Sequence, residues 1–123
     1  MTRIHNHRYV LAVKDLTRSL VYYNQVLGFH TYFEGGGWGF VKRDQCIVML
    51  GECPESPEAR ELPNHNYFAY IEIGNARKFH DELVAKGARV LTEVADKSWG
   101  MREFALETID GHRIMFGEEL IPE

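Results

Sequence analysis

The stretch WGMREFALETIDGHRIMF, residues Trp99 to Phe116, decides how the rest of the chain is read. At its centre, Asp110-Gly111 is a residue pair strongly associated with a tight hairpin turn, because both residues tolerate the left-handed backbone such turns use. Before the turn Arg102, Phe104 and Leu106 share one parity, and Met101, Glu103, Ala105 and Glu107 the other; after it Ile114 and Phe116 alternate with Arg113 and Met115. Successive side chains on a strand point to opposite faces. One face of the hairpin is therefore apolar enough to bury, through Phe104, Leu106, Ile114 and Phe116. The other carries Met101, Glu103, Arg113 and Met115, the mixture of charge and soft apolar surface that lines pockets. Trp99-Gly100 stands at the entrance of the first strand, where a large ring with one N–H donor can lie half in a cavity and half in water.

Outward from this hairpin, Arg8 to Lys14 alternates Tyr9, Leu11 and Val13 with Arg8, Val10 and Ala12, which reads as a strand covered on both faces. Asp15 then offers a helix cap. Leu16, Leu20, Tyr23 and Leu27 are spaced by four, three and four, one apolar stripe of an amphipathic helix that Gly28 ends. Phe29 to Phe33 predicts a strand. Gly35-Gly36-Gly37 turns the chain into a strand from Trp38 to Lys42, and Arg43-Asp44 into another from Cys46 to Leu50. From Gly51 to Asn66 the apolar residues thin out and Pro54, Pro57 and Pro63 punctuate a charged loop.

The order then repeats. Tyr67 to Ile73 predicts a strand, Asn75 a cap, Ala76, Phe79 and Leu83 the stripe of a second helix closed by Gly87, and Ala88 to Glu93 a strand before the hairpin. Val13, Asp15 and Leu16 match Ile73, Asn75 and Ala76 at a constant offset of sixty. The fold class is accordingly α+β, with a single domain over 1–123 made of two βαβββ halves, about 1–51 and 66–119, joined by a loop over 52–65. Each half covers one sheet face with its own helix and leaves the other open. Two such halves side by side predict a cupped mixed sheet with helices outside and a central cleft for a ligand.

Composition narrows the function. At 123 residues, 45% hydrophobic and 26% charged, the chain suits one domain with a real core. A net charge of −4 with both signs scattered excludes the basic stripe of a nucleic-acid-binding protein. No charged start leads into an apolar run, and no stretch approaches the ~20 apolar residues of a membrane span. No membrane partner and a cytoplasmic location are expected. Cys46 and Cys53 are too few for a disulfide scaffold and too widely spaced for a zinc knuckle, so free thiols are expected.

Asp15-Leu16 through Ser19-Leu20, Tyr22-Tyr23 and Leu27-Gly28-Phe29 resembles the first helix of the vicinal oxygen chelate superfamily, which includes glyoxalase I, extradiol dioxygenases, fosfomycin-resistance transferases and bleomycin-resistance proteins. Trp99-Gly100-Met101-Arg102-Glu103-Phe104, with Asp110-Gly111-His112, resembles the bleomycin-resistance branch more than the enzymes. The resemblance spans Arg8 to Gly117. It implies a homodimer, as do the strand edges that a monomer of this size has little material to cover.

In metal-dependent members the ligands usually come from the start of the first strand, from the first strand of the second half and from a glutamate on the last strand. Counting from the matched motifs places Arg8, Phe68 and Met115 there. A guanidinium repels cations, a phenyl ring has no donor, and a thioether suits soft copper rather than the divalent ions of these enzymes. No cofactor is therefore expected. The alternative is one divalent metal ion held by His5 or His7 with Glu72, Glu103 or His65. Bringing His7 into the ligand position needs a one-residue slip of the first strand, which would turn Tyr9, Leu11 and Val13 out of the core and put Val10 and Ala12 in.

Gly35-Gly36-Gly37-Trp38-Gly39 lacks the helix and the Gly-Lys-Ser/Thr of a phosphate cradle. Ser19, Ser56 and Ser98 have no local nucleophile motif. His30, His80 and His112 sit beside helix ends or turns and are read as exposed. Trp99, Trp38, Phe40, Phe68 and Tyr70 form the aromatic set around the cleft, with Phe40 assigned to core filling and the others, Phe68 included, to the ligand. The expected ligand-binding residues are Arg8, Trp38, Phe68, Tyr70, Trp99, Met101, Glu103, Arg113 and Met115, around a small flat aromatic or drug-like molecule. Glu103, with Arg8 or Arg113 as its possible internal partner, is the only candidate catalytic residue. Sequestration of a drug is the expected activity, and a lyase, isomerase or dioxygenase of the same fold or a purely partner-binding domain the alternatives.

Overall fold

The structure is a computed structural model that describes residues 2–3, 5–62 and 66–121. The chain divides into two compact units between Ser56 and Pro57. The first contains β1 (Tyr9–Val13), α1 (Leu16–Gln25), β2 (His30–Gly35), β3 (Trp38–Arg43) and β4 (Cys46–Glu52). The second contains a 3-10 turn (Ala59–Glu61), β5 (Tyr67–Glu72), α2 (Ala76–Ala85), β6 (Arg89–Asp96), β7 (Met101–Glu107) and β8 (Arg113–Glu119). Each unit holds one four-stranded mixed sheet, in the orders β1-β4-β3-β2 and β5-β8-β7-β6. In both, the first strand pairs in parallel with the last, as a helical crossover requires. The α+β class and the βαβββ repeat are as the sequence predicts.

Both helices start where the repeat places them. The Asp15 carboxylate accepts from the Arg18 N–H at 3.1 Å and the Asn75 side chain from the Lys78 N–H at 3.0 Å. A second cap comes from far along the chain. The Leu16 N–H donates to Glu52 Oε2 at 2.9 Å, and the Ala76 N–H donates to Glu118 Oε1 at 3.0 Å. A carboxylate at a helix N-terminus satisfies an orphan amide and opposes the positive end of the dipole.

The first core lies between α1 and one face of its sheet. A β-carbon on Gly39 would stand 2.8 Å from Leu20 Cδ2 and 3.2 Å from Leu16 Cδ1, so the row Leu11, Leu50 and Gly39 faces the helix. Val13, Leu20, Tyr23, Leu27, Val41, Val48 and Leu50 are buried. Tyr9, Leu11 and Val13 pair with Val48, Leu50 and Glu52, which is the register without the slip. The expectation that β1 is covered on both faces is corrected: Val10 is 61% exposed and Ala12 is exposed as well. β1 is an edge strand, and Val10 and Ala12 alternate with the row of Leu11 that faces α1.

The opposite face of this sheet is aromatic. A bulge in β2 between Thr31 and Phe33 brings Phe33 opposite Phe40, and the rings of Tyr32, Phe33 and Trp38 stand 5.9, 4.8 and 6.2 Å from that of Phe40. Phe40 is only half-buried here, so its assignment to core filling is corrected. Its pairing with Met49 rather than Val48 puts it away from α1.

In the second unit Phe104, Leu106, Ile114 and Phe116 form the buried face foreseen for the hairpin. Phe104 stacks on Phe116 at 5.2 Å, and Phe79 of α2 meets Phe116 edge-on at 5.1 Å. His80 is buried too, against Phe104, with its ring nitrogens 2.9 Å from Asp81 and 2.8 Å from Glu93. His112 is likewise buried, whereas His30 is exposed. The exposed reading of His80 and His112 is therefore corrected. His80 lies one helical turn beyond Ala76, on the sheet side of α2.

The two turns flanking β7 have one construction. Thr108 N–H bonds the His112 carbonyl and Gly111 N–H the Thr108 carbonyl; Lys97 N–H bonds the Met101 carbonyl and Gly100 N–H the Lys97 carbonyl. Gly111 and Gly100, at φ of 87° and 85°, take the left-handed position that closes a three-residue hairpin loop. Trp99 precedes that glycine at the tip of the β6–β7 turn. Among the described residues no helix is long and apolar enough to cross a membrane.

Candidate functional site

The face of the second sheet away from α2 is built from Met101, Glu103, Ala105 and Glu107 of β7, set opposite Glu119, Gly117, Met115 and Arg113 of β8. On the other side of β8, Tyr70 is level with Met115 and Glu72 with Gly117. Glu72 and Glu103 thus flank Gly117, one on each neighbouring strand. Glycine there leaves room for a neighbour: a β-carbon on Gly117 would fall on the Tyr70 phenol. The ring of Tyr70 crosses this gap and its hydroxyl donates to Glu103 Oε2 at 2.7 Å.

The same oxygen receives a second bond, from Trp99 Nε1 at 3.0 Å. Glu103 is only 6% exposed, yet Tyr70 and Trp99 are 47% and 66% exposed. The carboxylate is thus sunk beneath two aromatic rings that remain in reach of a ligand. Burial at the hydroxyl end, the hydrogen bond to Glu103 and the charges of Glu103 and Glu72 push the Tyr70 phenol well above the usual tyrosine range. It therefore stays protonated and acts as a donor.

Glu107, four residues along the same face, has another environment. It is also 6% exposed, but Arg89 approaches it at 3.1 Å and Arg60 at 3.5 Å. Arg60 further donates to the Ile109 carbonyl at 3.0 Å, and Arg113 Nη2 donates to the carbonyls of Arg60 and Leu62 at 3.0 and 3.2 Å. Arg113 therefore fastens the 3-10 turn to the hairpin. Its reading as the internal partner of Glu103 is corrected, since β8 carries it to the level of Glu107.

Of the expected ligand-binding residues, Tyr70, Trp99 and Glu103 come into direct contact, with Met115 and Met101 half-buried on the same face. Phe68 sits at a bulge of β5 with its ring 6.0 Å from that of His112. Trp38 lies on the open face of the first sheet, its ring over Gly51. Arg8 is exposed and immediately precedes β1, and the exposed His5 and His7 lie further toward the amino terminus. His65 lies outside the described residues. Among those residues no three His, Cys, Asp or Glu side chains group as a metal site would require. Cys46 and Cys53 are free, and burial pushes the Cys46 thiol up.

One repeat escaped the sequence reading. Gly51-Glu52 ends β4 and Gly117-Glu118 lies near the end of β8. In each pair the glycine lies beneath an aromatic ring, Trp38 or Tyr70, and the glutamate caps the helix of its own unit. The signal was present as a repeated Gly-Glu, but at an offset of 66 rather than sixty. Unequal spacing between helix and last strand hid it.

Two βαβββ units, each with a four-stranded mixed sheet and a helix capped from its last strand, define the vicinal oxygen chelate fold. The family model described as the Glyoxalase/Bleomycin resistance protein/Dioxygenase superfamily matches residues 5–116, and the chain belongs to that superfamily. Among solved structures, a glyoxalase/bleomycin resistance protein/dioxygenase from Nocardioides is 17% identical over 100% of this chain and 88% of its own, with a TM-score of 0.76. The bleomycin resistance determinant encoded on the transposon Tn5 is 15% identical over 96% of this chain and 100% of its own, at 0.78. The bleomycin-binding protein of Streptomyces verticillus, solved with copper(II)-bleomycin, is 20% identical over 94% and 97%, at 0.74. At these identities the likeness is one of fold. No curated protein sequence matches the chain.

Proposed function

We propose that the protein binds a small, flat aromatic molecule against the exposed rings of Trp99 and Tyr70 on the second sheet and holds it non-covalently, as a drug-sequestering protein does. The observation that carries this reading is Trp99: a tryptophan 66% exposed at a turn tip, with its indole N–H fixed to a buried carboxylate. An exposed indole normally wanders among rotamers, and fixing it lowers the entropy lost when a ligand stacks on it. Tyr70, Met101 and Met115 extend the same surface, and Phe68 and Arg113, on strands of the same sheet, are further residues we assign to the ligand. The bleomycin-binding protein of the same fold supports a ligand of drug size.

In this reading the site works without a metal, as a homodimer in the cytoplasm. Support for the first point is the chemistry of the expected ligand positions, since Arg8, Phe68 and Met115 offer no oxygen or nitrogen lone pair to a divalent ion. One equivalent of zinc, nickel, manganese or iron in protein purified without a histidine tag, lost on substitution of His7, would establish the metal-dependent alternative instead.

Fluorescence titration tests the binding itself. Saturable quenching by flat aromatic drugs, a bleomycin among them, is expected, and Trp99→Phe should remove most of it while the Trp38 signal remains. No response to any aromatic ligand at millimolar concentration would overturn the proposal.

A further inference from the structure

We infer that the subsite at Glu103 takes an organic cation, a protonated amine or alkylammonium group carried by the aromatic ligand. The inference rests on the ligand-binding reading above and adds the charge the ligand must bear.

Charge balance around β7 is the starting point. Glu103 and Glu107 share a strand, a face and a depth of 6% exposure. Two guanidinium groups neutralise Glu107. Glu103 is met by a phenol and an indole, both neutral, and both on Oε2. Among the described residues no lysine, arginine or histidine pairs with it, and none donates to Oε1. The arginines of the sheet are engaged elsewhere: Arg102 grips Asp96 through two bonds of 2.6 and 3.1 Å, Arg89 and Arg60 hold Glu107, and Arg113 holds the 3-10 turn. Burying a charge without an opposite charge is costly. The fold neutralises one buried carboxylate and leaves its neighbour, beneath two exposed rings, with hydrogen bonds alone.

The surroundings also choose the kind of cation. Glu72, on the far side of Gly117, adds negative charge to the same patch, since it acts on the Tyr70 phenol together with Glu103. Tyr70 and Trp99 offer π faces that attract an ammonium group. An inorganic divalent ion fits poorly, because the indole N–H has no lone pair and a protonated phenol points its hydrogen at the carboxylate. A primary or methylated ammonium can give a hydrogen or a positive face to Oε1 without displacing either donor.

Three probes of one shape make the test: 2-naphthylmethylammonium, 2-naphthylmethanol and 2-naphthoate, titrated by calorimetry against the full-length protein near neutral pH. The ammonium should bind at least about tenfold tighter than the alcohol, and the carboxylate weakest. In Glu103→Gln the ammonium should lose its advantage over the alcohol. The order in the wild-type protein is decisive even if that variant fails to fold. Equal binding of ammonium and alcohol, or tighter binding of naphthoate, overturns the cation subsite and leaves the aromatic reading standing. If none of the three binds, both fall.

Discussion

Tyr70 lies across Gly117, in the space a β-carbon there would occupy, and reaches Glu103 on the strand beyond. The first prediction follows from this contact. Alanine normally costs a strand nothing relative to glycine and often stabilises it. Gly117→Ala should instead destabilise the protein by about 1–3 kcal/mol, because it drives the phenol off its acceptor. In a Tyr70→Ala background the same substitution should be neutral or favourable. Urea denaturation of the four proteins of this cycle measures the coupling, and an equal cost in both backgrounds would refute the contact.

The Tyr70 hydroxyl gives a prediction in pH. Its folded-state value is raised by burial, by the bond to Glu103 and by the charges of Glu103 and Glu72. A group raised on folding contributes stability that is full below the unfolded value, about 10 for tyrosine, and lost as pH climbs through the folded one. Ultraviolet titration of the six tyrosines should therefore contain a late-ionising phenol that is missing from Tyr70→Phe. Glu103→Gln should bring that phenol back toward the ordinary range. A titration unchanged by Tyr70→Phe above pH ~10 would contradict the assignment.

The duplicated helix caps predict matched losses. Asp15→Ala and Asn75→Ala should each cost about 1 kcal/mol, the usual scale for an N-cap. Glu52→Ala and Glu118→Ala, although 36 and 42 residues from the amides they cap, should cost a similar ~0.5–2 kcal/mol. Thermal melts of the four single variants decide it. No change for either glutamate would mean that the cap from the last strand adds nothing.

For the proposed homodimer, sedimentation at micromolar concentration should give twice the 14.2 kDa of one chain. Val10, 61% exposed on the edge strand β1, is apolar surface of the kind an association covers. Val10→Lys should then weaken the dimer. A single species of one-chain mass across the concentration range would exclude it.

The alternation of Phe104, Leu106, Ile114 and Phe116, the stripe from Leu16 to Leu27 and the caps at Asp15 and Asn75 were legible because each depends on neighbours within a few residues. Periodicity states which way a side chain points from its own backbone, and that was enough for the class, the repeat and the two faces of the hairpin. It also put Glu103 on the face opposite Phe104 and Leu106. It could not say what Glu103 meets there. Tyr70 is 33 residues away and arrives only because β5 pairs in parallel with β8, which aligns Glu72, Gly117 and Glu103 in one row. The diversion of Arg113 to the 3-10 turn, the burial of His80 against Phe104 and the exposure of Val10 depend in the same way on which element lies alongside. Those outcomes are set by strand order and register, by contacts between residues far apart in the chain, and they exist only once the sheet has formed. The sequence by itself determined a two-fold βαβββ chain with a carboxylate on the hairpin face opposite its apolar one. Tertiary structure decided that this carboxylate is held by a phenol and an indole, and not by an arginine.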